Sequence, residues 1–342
     1  MGVADFRKAL QKKDKFNLGL SPVVDWISTG NAALNRIISG DMLKGIAVGR
    51  VTALGGLNGT GKSFLVANII REAQAKGYFT IYVDTEFATS DGFMEKIGVD
   101  MSEDKFMAVN TAILEDLTEF TSTLFKNMGK EDKVLLIIDS LSNCQTEGDT
   151  KKFDDGKIAY GVGLLQKLQK ATINSICTRV GGKNMACVFT SHMYVSGTDT
   201  YGNQILKPNV GEGTMYLPST VLQLSKKALK EGKEISGISV TATTLKSRFT
   251  KLGEKTSFDL PWDSGMDYYD GSLEVLEEAG TVDKNGSWYV YTDRETGEVC
   301  KFQSSSYKKH ADKLFQYYSD DVGEVEEKSE EDANQEMLEA SA

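Results

Sequence analysis

The chain has 342 residues, 40% of them hydrophobic and 26% charged, which is enough for one core of about 200 to 250 residues with smaller appendages. No apolar run approaches the roughly 20 residues that span a bilayer, and the charged first 17 residues lack the apolar stretch of a signal peptide, so neither membrane residence nor export is expected and a cytoplasmic protein is. Net charge is −10, but residues 320–342 hold ten acids against Lys328 alone, leaving the preceding residues at −1; four cysteines without C-x-x-C spacing and only two histidines, His192 and His310, argue for reduced thiols and against zinc.

Residues 4–15 (ADFRKALQKKDK) are basic and helical in composition, and the stretch from Phe16 to Val24 runs extended through Ser21-Pro22. This arm is too short to bury an apolar face of its own, so docking on a neighbouring subunit is expected. From Ile27 to about Pro261 short apolar runs alternate with amphipathic stretches. Strands are predicted at Val51–Leu54, Phe79–Val83, Val134–Ile138, Met185–Thr190 and Thr220–Leu224. Helices are predicted at Phe64–Ala75, Leu114–Lys126 and Ile158–Ser175, the last with Ile158, Val162, Leu165, Leu168 and Thr172 on one face. Such alternation marks an α/β protein with a parallel sheet, and puts a ligand at the carboxyl ends of the strands. Ile238–Leu245 alternates apolar with polar residues, as an antiparallel extension with one solvated face would. Two stretches, 145–156 and 193–213, show no periodicity and read as functional loops that order on a partner. After Met266, short helices, the aromatic run Trp288–Tyr291 and Lys308, Lys309 and Lys313 suggest a small separate domain ending near Tyr318. The acidic, aromatic-poor tail reads as disordered, and as a competitor of polyanions for a basic surface.

The chemistry starts at Gly56-Leu57-Asn58-Gly59-Thr60-Gly61-Lys62-Ser63, a complete G-x-x-x-x-G-K-S phosphate loop between a predicted strand and a predicted helix. Its glycines let backbone N–H groups turn inward around phosphates, Lys62 supplies a point charge, the Ser63 hydroxyl ligates Mg²⁺, and the helix N-terminus adds its dipole. Hydrolysis of a nucleoside triphosphate also needs a carboxylate near the metal, a base for the attacking water and positive charge for the transition state. The apolar run from Val134 ends in Asp139, where the metal-holding carboxylate belongs, although a strand-end Asp also serves as a helix cap. The run from Phe79 ends in Asp84 and Glu86, on the same side if the strand continues; Glu86 is the candidate base, and spacing alone does not order the pair. A third run, from Met185, ends in Thr190-Ser191-His192, where His192 is either a nucleotide sensor or a satisfied strand-end polar residue.

The chain resembles the RecA-family DNA strand-exchange recombinases, most of all their UvsX branch in tailed bacteriophages, over roughly residues 1–318. The pieces that carry the resemblance are Ser28-Thr29-Gly30 with Leu34 and Gly40, Gly56 to Ser63, Val83-Asp84-Thr85-Glu86, Gly98-Val99-Asp100, Ile138-Asp139-Ser140, Thr190-Ser191-His192 and Lys246-Ser247-Arg248. It implies an α/β fold: a RecA-like ATPase core at 28–265, its mostly parallel twisted sheet flanked by helices. Around it stand an N-terminal arm (1–27), a small C-terminal α/β domain (266–318) and an acidic tail (319–342). It implies that Glu86 activates water, that Asp139 lies by Mg²⁺, that Phe93 packs on adenine, and that 145–156 and 193–213 are DNA-binding loops. Lys246 and Arg248 would reach the γ-phosphate held by a neighbouring subunit, while His192 stands where bacterial members carry Gln. Lys167, Lys207, Gly211 and Gly213 are the expected DNA contacts, Lys167 fitting a solvated helix face equally well.

The activity so implied is DNA-stimulated hydrolysis of ATP with Mg²⁺ by protomers that polymerise on single-stranded DNA and pair it with homologous duplex. Partners would be single- and double-stranded DNA, further copies of the chain, and mediator and single-strand-binding proteins. Two rivals share parts of the signature: a hexameric RecA-like helicase or regulatory ATPase, and a non-enzymatic coat on single-stranded DNA.

Overall fold

The computed structural model describes residues 21–156, 162–200, 202, 204–232, 234–262 and 265–322, together with Asp5 and Arg7. The expected arm helix, Ile158 and the acidic tail beyond Val322 lie outside the described residues. No helix among the described residues is long and apolar enough to cross a membrane.

The described chain opens with a small antiparallel pair, β1 (Trp26–Ile27) on β2 (Ile46–Ala47), around α1 (Ala32–Ser39). Asn31 starts α1 by accepting the Leu34 N–H at 2.8 Å, and Gly40 ends it in the left-handed region. Next come β3 (Val51–Gly56), α2 (Lys62–Ala75), β4 (Phe79–Asp84), α3 (Asp91–Ile97), β5 (Phe106–Asn110), α4 (Leu114–Asn127) and β6 (Val134–Asp139). After these follow α5 (Glu147–Asp154), α6 (Val162–Val180), β7 (Met185–Thr198), β8 (Gln204–Pro208), α7 (Glu212–Met215), β9 (Thr220–Glu231), β10 (Glu234–Lys246) and β11 (Lys255–Pro261).

The central sheet runs in the order β11-β10-β9-β3-β7-β6-β4-β5. The six strands from β9 to β5 are parallel, and β10 and β11 extend the sheet antiparallel. β3 and β6 are buried along their whole length, as strands with helices on both faces must be, which is why they read as unbroken apolar runs. On one face α2 closes a core with Leu54, Tyr82, Leu135, Val188 and Leu222; on the other, α4 and α6 close one with Ala53, Val83, Leu136, Ile138 and Phe189. In β10, Ile238, Val240 and Ala242 are buried while the residues between them are less so, matching the expected one-sided extension.

Three elements differ from expectation. The stretch 193–213 is not a loop: β7 continues past the sheet to Thr198 and folds back through β8 as a hairpin, in register Met193↔Pro208 to Thr198↔Gln204, before α7. The stretch 145–156 contains α5, whose start is capped by Thr146 accepting the Asp149 N–H at 3.1 Å. The third predicted helix ends at Val180 rather than Ser175. Beyond the core, α8 (Ser272–Glu278) leads into an antiparallel sheet of β12 (Asp283–Asn285), β13 (Trp288–Thr292) and β14 (Val299–Phe302), then a helix, α9, over 308–322. The aromatic run is therefore the middle strand. Leu276, Phe302, Leu314 and Phe315 bury together with Ala32, Ala33 and Met42, so this part packs on α1. Its last helix passes the boundary expected at Tyr318.

Candidate nucleotide site

Parallel pairing aligns the ends of β3, β6 and β7, and the site grows from those ends. Gly56 pairs with His192, and Asp84 with Asp139. Together with the start of α2 they border a cleft of about 1390 Å³ lined by Leu57 to Ser63, Glu86, Phe93, Asp139 and His192, among others. Gly56 itself forms the wall behind the loop, where a Cβ would lie 2.5 Å from Thr60 Oγ1. Gly61, at φ +81°, turns the chain into α2, and a Cβ there would meet Leu260 at 2.9 Å.

Lys62 is a buried cation. Its Nζ donates to the Gly56 and Leu57 carbonyls at 3.2 and 3.0 Å. Burial lowers its proton affinity, and the charges of Asp139 and Glu86 oppose that without a contact ion pair. A buried ammonium held only by carbonyls inside a ring of inward-turned glycines fits an anionic polyphosphate. Lys226, on β9, brings a second cation close: its Nζ lies 2.6 Å from where a Gly59 Cβ would stand.

The two carboxylates that spacing left unordered have separate surroundings. Asp84 is buried and accepts the Glu86 and Phe87 N–H groups on Oδ1, each at 2.9 Å, and the Thr89 N–H on Oδ2 at 3.0 Å. It shapes the turn that presents Glu86. The Glu86 Oε1 accepts from Ser140 Oγ at 2.8 Å and lies 2.7 Å from His192 Nε2. Burial alone would raise its pKa; the hydrogen bonds from His192 and Ser140 outweigh burial and hold it below the ordinary carboxylate value. The backbone N–H of His192 donates to Ser142 Oγ at 2.9 Å, while its Nδ1 is buried with no partner among the described residues.

Asp139 is fixed by Tyr82 Oη at 2.9 Å and Thr190 Oγ1 at 2.5 Å. It does not cap a helix, and it shares the cleft with Ser63, so the two oxygens sets could hold Mg²⁺ between them. Phe93, on α3, lies edge-on to Phe64 with ring centres 6.4 Å apart, and both line the cleft. From sequence, Ser140 and Thr190 carry no role beyond membership of the strand-end motifs, and Tyr82 and Ser142 carry none.

Lys246 and Arg248 are not part of this cleft. Lys246 ends β10 opposite Val221, which pairs with Ala53, so the pair lies toward the amino ends of the parallel strands. Lys246 Nζ donates to the carbonyls of Tyr216 and Pro218, and burial together with Arg248 lowers its pKa. Of the expected DNA contacts, Lys167 is exposed on α6, and Lys207 is exposed on β8 with its Nζ 3.5 Å from Glu212. Gly211 and Gly213 flank the start of α7, where added Cβ atoms would sit 3.3 Å from Gln166 and 3.4 Å from Lys170 of α6.

The RecA N-terminal domain family matches residues 3–267. Among curated relatives, the recombination and repair protein of Enterobacteria phage T4 is 27% identical over 286 residues, covering 80% of this chain and 69% of its own length. The protein RecA of Aquifex aeolicus is 26% identical over 315 residues, covering 91% and 84%, and that of Thermus aquaticus is 26% identical over 278 residues, covering 80% and 78%.

Proposed function

The chain belongs to the RecA family, and from that membership we propose that it is an ATP-dependent recombinase that polymerises on single-stranded DNA and exchanges strands with homologous duplex. The observation that carries the reading is the buried, acid-free Lys62 in its glycine loop, with Glu86 oriented across the same cleft. Its polyphosphate substrate would draw Lys62 off the Gly56 and Leu57 carbonyls. Mg²⁺, held by Ser63 and through water by Asp139, would offset the charge that develops on the phosphates. Phe93 and Phe64 offer an apolar slot for the base.

Glu86 acts as the general base: Oε1 is engaged by Ser140 and His192, leaving Oε2 to take a proton from water. His192 lies on β7 just where that strand leaves the sheet for the hairpin, so its contact with Glu86 joins the hydrolytic carboxylate to the expected DNA-binding segment. This supports an ATPase that responds to DNA. Lys246 and Arg248, facing away from their own cleft, support a site completed by a neighbour, with ATP holding two protomers together.

The test compares phosphate release by the wild type and Glu86→Gln, with and without single-stranded DNA. Stimulation by DNA in the wild type and its loss in the variant are expected; a rate indifferent to DNA would overturn the reading. Electron microscopy of the same samples should show filaments, whereas closed rings without filaments on DNA would favour a helicase or regulatory ATPase.

A further inference from the structure

Two large aromatic side chains stand in solvent beside the two halves of the nucleotide site, and we infer that they meet across the junction between two copies of this chain. The inference rests on the shared-site reading above. Phe87 directly follows Glu86 and is 65% exposed. Its φ of +55° is the one positive value at a non-glycine residue among the described residues. A bulky residue rarely adopts that conformation, and here the Asp84 carboxylate holds it, accepting the Phe87 N–H. The fold thus holds a strained conformation at a residue whose side chain stands largely in water.

Tyr216 is the counterpart. It follows α7, is 69% exposed, and its carbonyl takes the Lys246 ammonium. That bond places Tyr216 beside Lys246.

The two rings lie at opposite ends of the sheet. Phe87 lies just past the carboxyl end of β4, level with the Asp84–Asp139 pair. Tyr216 precedes β9, close to where the Ser219 N–H donates to the Val51 carbonyl at the amino end of β3. β3 has six residues, so the two ends are about 17 Å apart along the strand direction. One chain cannot bring its own Tyr216 to its own Phe87 without unfolding. A head-to-tail neighbour that delivers Lys246 and Arg248 to the phosphates carries Tyr216 to the same rim, beside Glu86 and Phe87. The contact is heterologous, the kind that repeats into a ring or an open helix rather than closing as a dimer. An aromatic pair there would add apolar contact beside the cations Lys246 and Arg248 and screen the hydrolytic water from bulk solvent.

The experiment measures phosphate release on single-stranded DNA against protein concentration for Phe87→Gly, Tyr216→Ala, the double variant and Arg248→Ala. Glycine suits the positive φ, so Phe87→Gly removes the ring while keeping the turn, and equal melting temperatures and equal ATP-analogue binding by dilute protomers should verify this. Each single variant should need about threefold to tenfold more protein for half-maximal activity, the size of effect one aromatic pair contributes. The double variant should be no worse than either single one. Silent single variants, or shifts that multiply in the double, with Arg248→Ala inactive, would overturn the ring contact and leave the shared site standing. Full activity in Arg248→Ala would overturn the shared site and the ring contact with it.

Discussion

Asp84 and Glu86 sit two residues apart at one strand end, and their hydrogen-bond partners divide the work between them. Asp84 uses its oxygens on three backbone N–H groups, whereas Glu86, which lines the cleft, is held by the Ser140 and His192 side chains. Glu86→Gln should therefore lower phosphate release by about a hundredfold or more while leaving nucleotide binding and the denaturation midpoint unchanged. Asp84→Ala should instead cost about 2 to 3 kcal/mol in chemical denaturation, because three N–H groups lose their acceptor, and activity should fall with it. A stable, active Asp84→Ala would contradict the division. The pH dependence has a defined sign. Burial pushes the Glu86 carboxyl up, and the bonds from His192 and Ser140 more than reverse this, so the candidate base stays ionised to a pH below the ordinary glutamate value. In His192→Ala the acidic limb of the rate profile should move upward; a limb that stays in place would show that His192 does not tune the base.

Among the elements, the small C-terminal sheet and α9 are joined by a charged contact that predicts how this part responds to acid. Asp293 accepts from Lys313 Nζ at 2.6 Å, and that bond holds its pKa down at about 2, against an unfolded value of 3.8. A depressed carboxylate contributes stability above its unfolded pKa and loses it as pH falls toward the folded one. The denaturation midpoints of wild type and Asp293→Asn, followed by tryptophan fluorescence, should thus differ at pH 6 and converge between about pH 4 and 2. A constant difference would exclude this linkage. The elements also explain what could be read in advance. β3, β4 and β6 lie in the interior, so their apolar runs stand out, and the phosphate loop after β3 and the carboxylates ending β4 and β6 mark the site. The β7–β8 hairpin and α5 leave the core and have little to bury: α5 has no buried residue, and the outer half of β7 is exposed, so neither carried a periodic signal. The cap at Thr146 and Asp149 was the one clue to α5. The bulge between Val195 and Gly197 further breaks the period-two pattern. Ser142 escaped notice and Ser140 carried no role of its own, because their contacts depend on where the strand ends are brought together, a property of the sheet order and not of local sequence.

At the scale of the molecule, charge and architecture point to an assembly rather than a self-sufficient enzyme. The body is nearly neutral and the excess acid lies at the end of the chain, beyond a helix that runs through residue 322. Asp321 is already engaged there by Arg294, with Nη2–Oδ2 at 2.6 Å. Removing residues 323–342 should therefore leave α9 intact, and it should raise affinity for duplex DNA at low salt if the tail competes with DNA for basic surface. Unchanged affinity would remove that role from the tail. The nucleotide cleft holds a phosphate loop, the candidate base and the candidate metal-side carboxylate, while Lys246 and Arg248 lie toward the amino ends of the parallel strands. The phosphate loop by itself would serve many unrelated activities; under the proposal above, the placement of those cations would make it one half of a junction between protomers. That claim is tested most directly by mixing two variants, Glu86→Gln and Arg248→Ala, each inactive alone, and measuring phosphate release on single-stranded DNA. In an equal mixture about one junction in four pairs an intact Glu86 with an intact Arg248 from its neighbour, so activity should return to about a quarter of the wild-type rate. A mixture no more active than its two components would contradict the shared site.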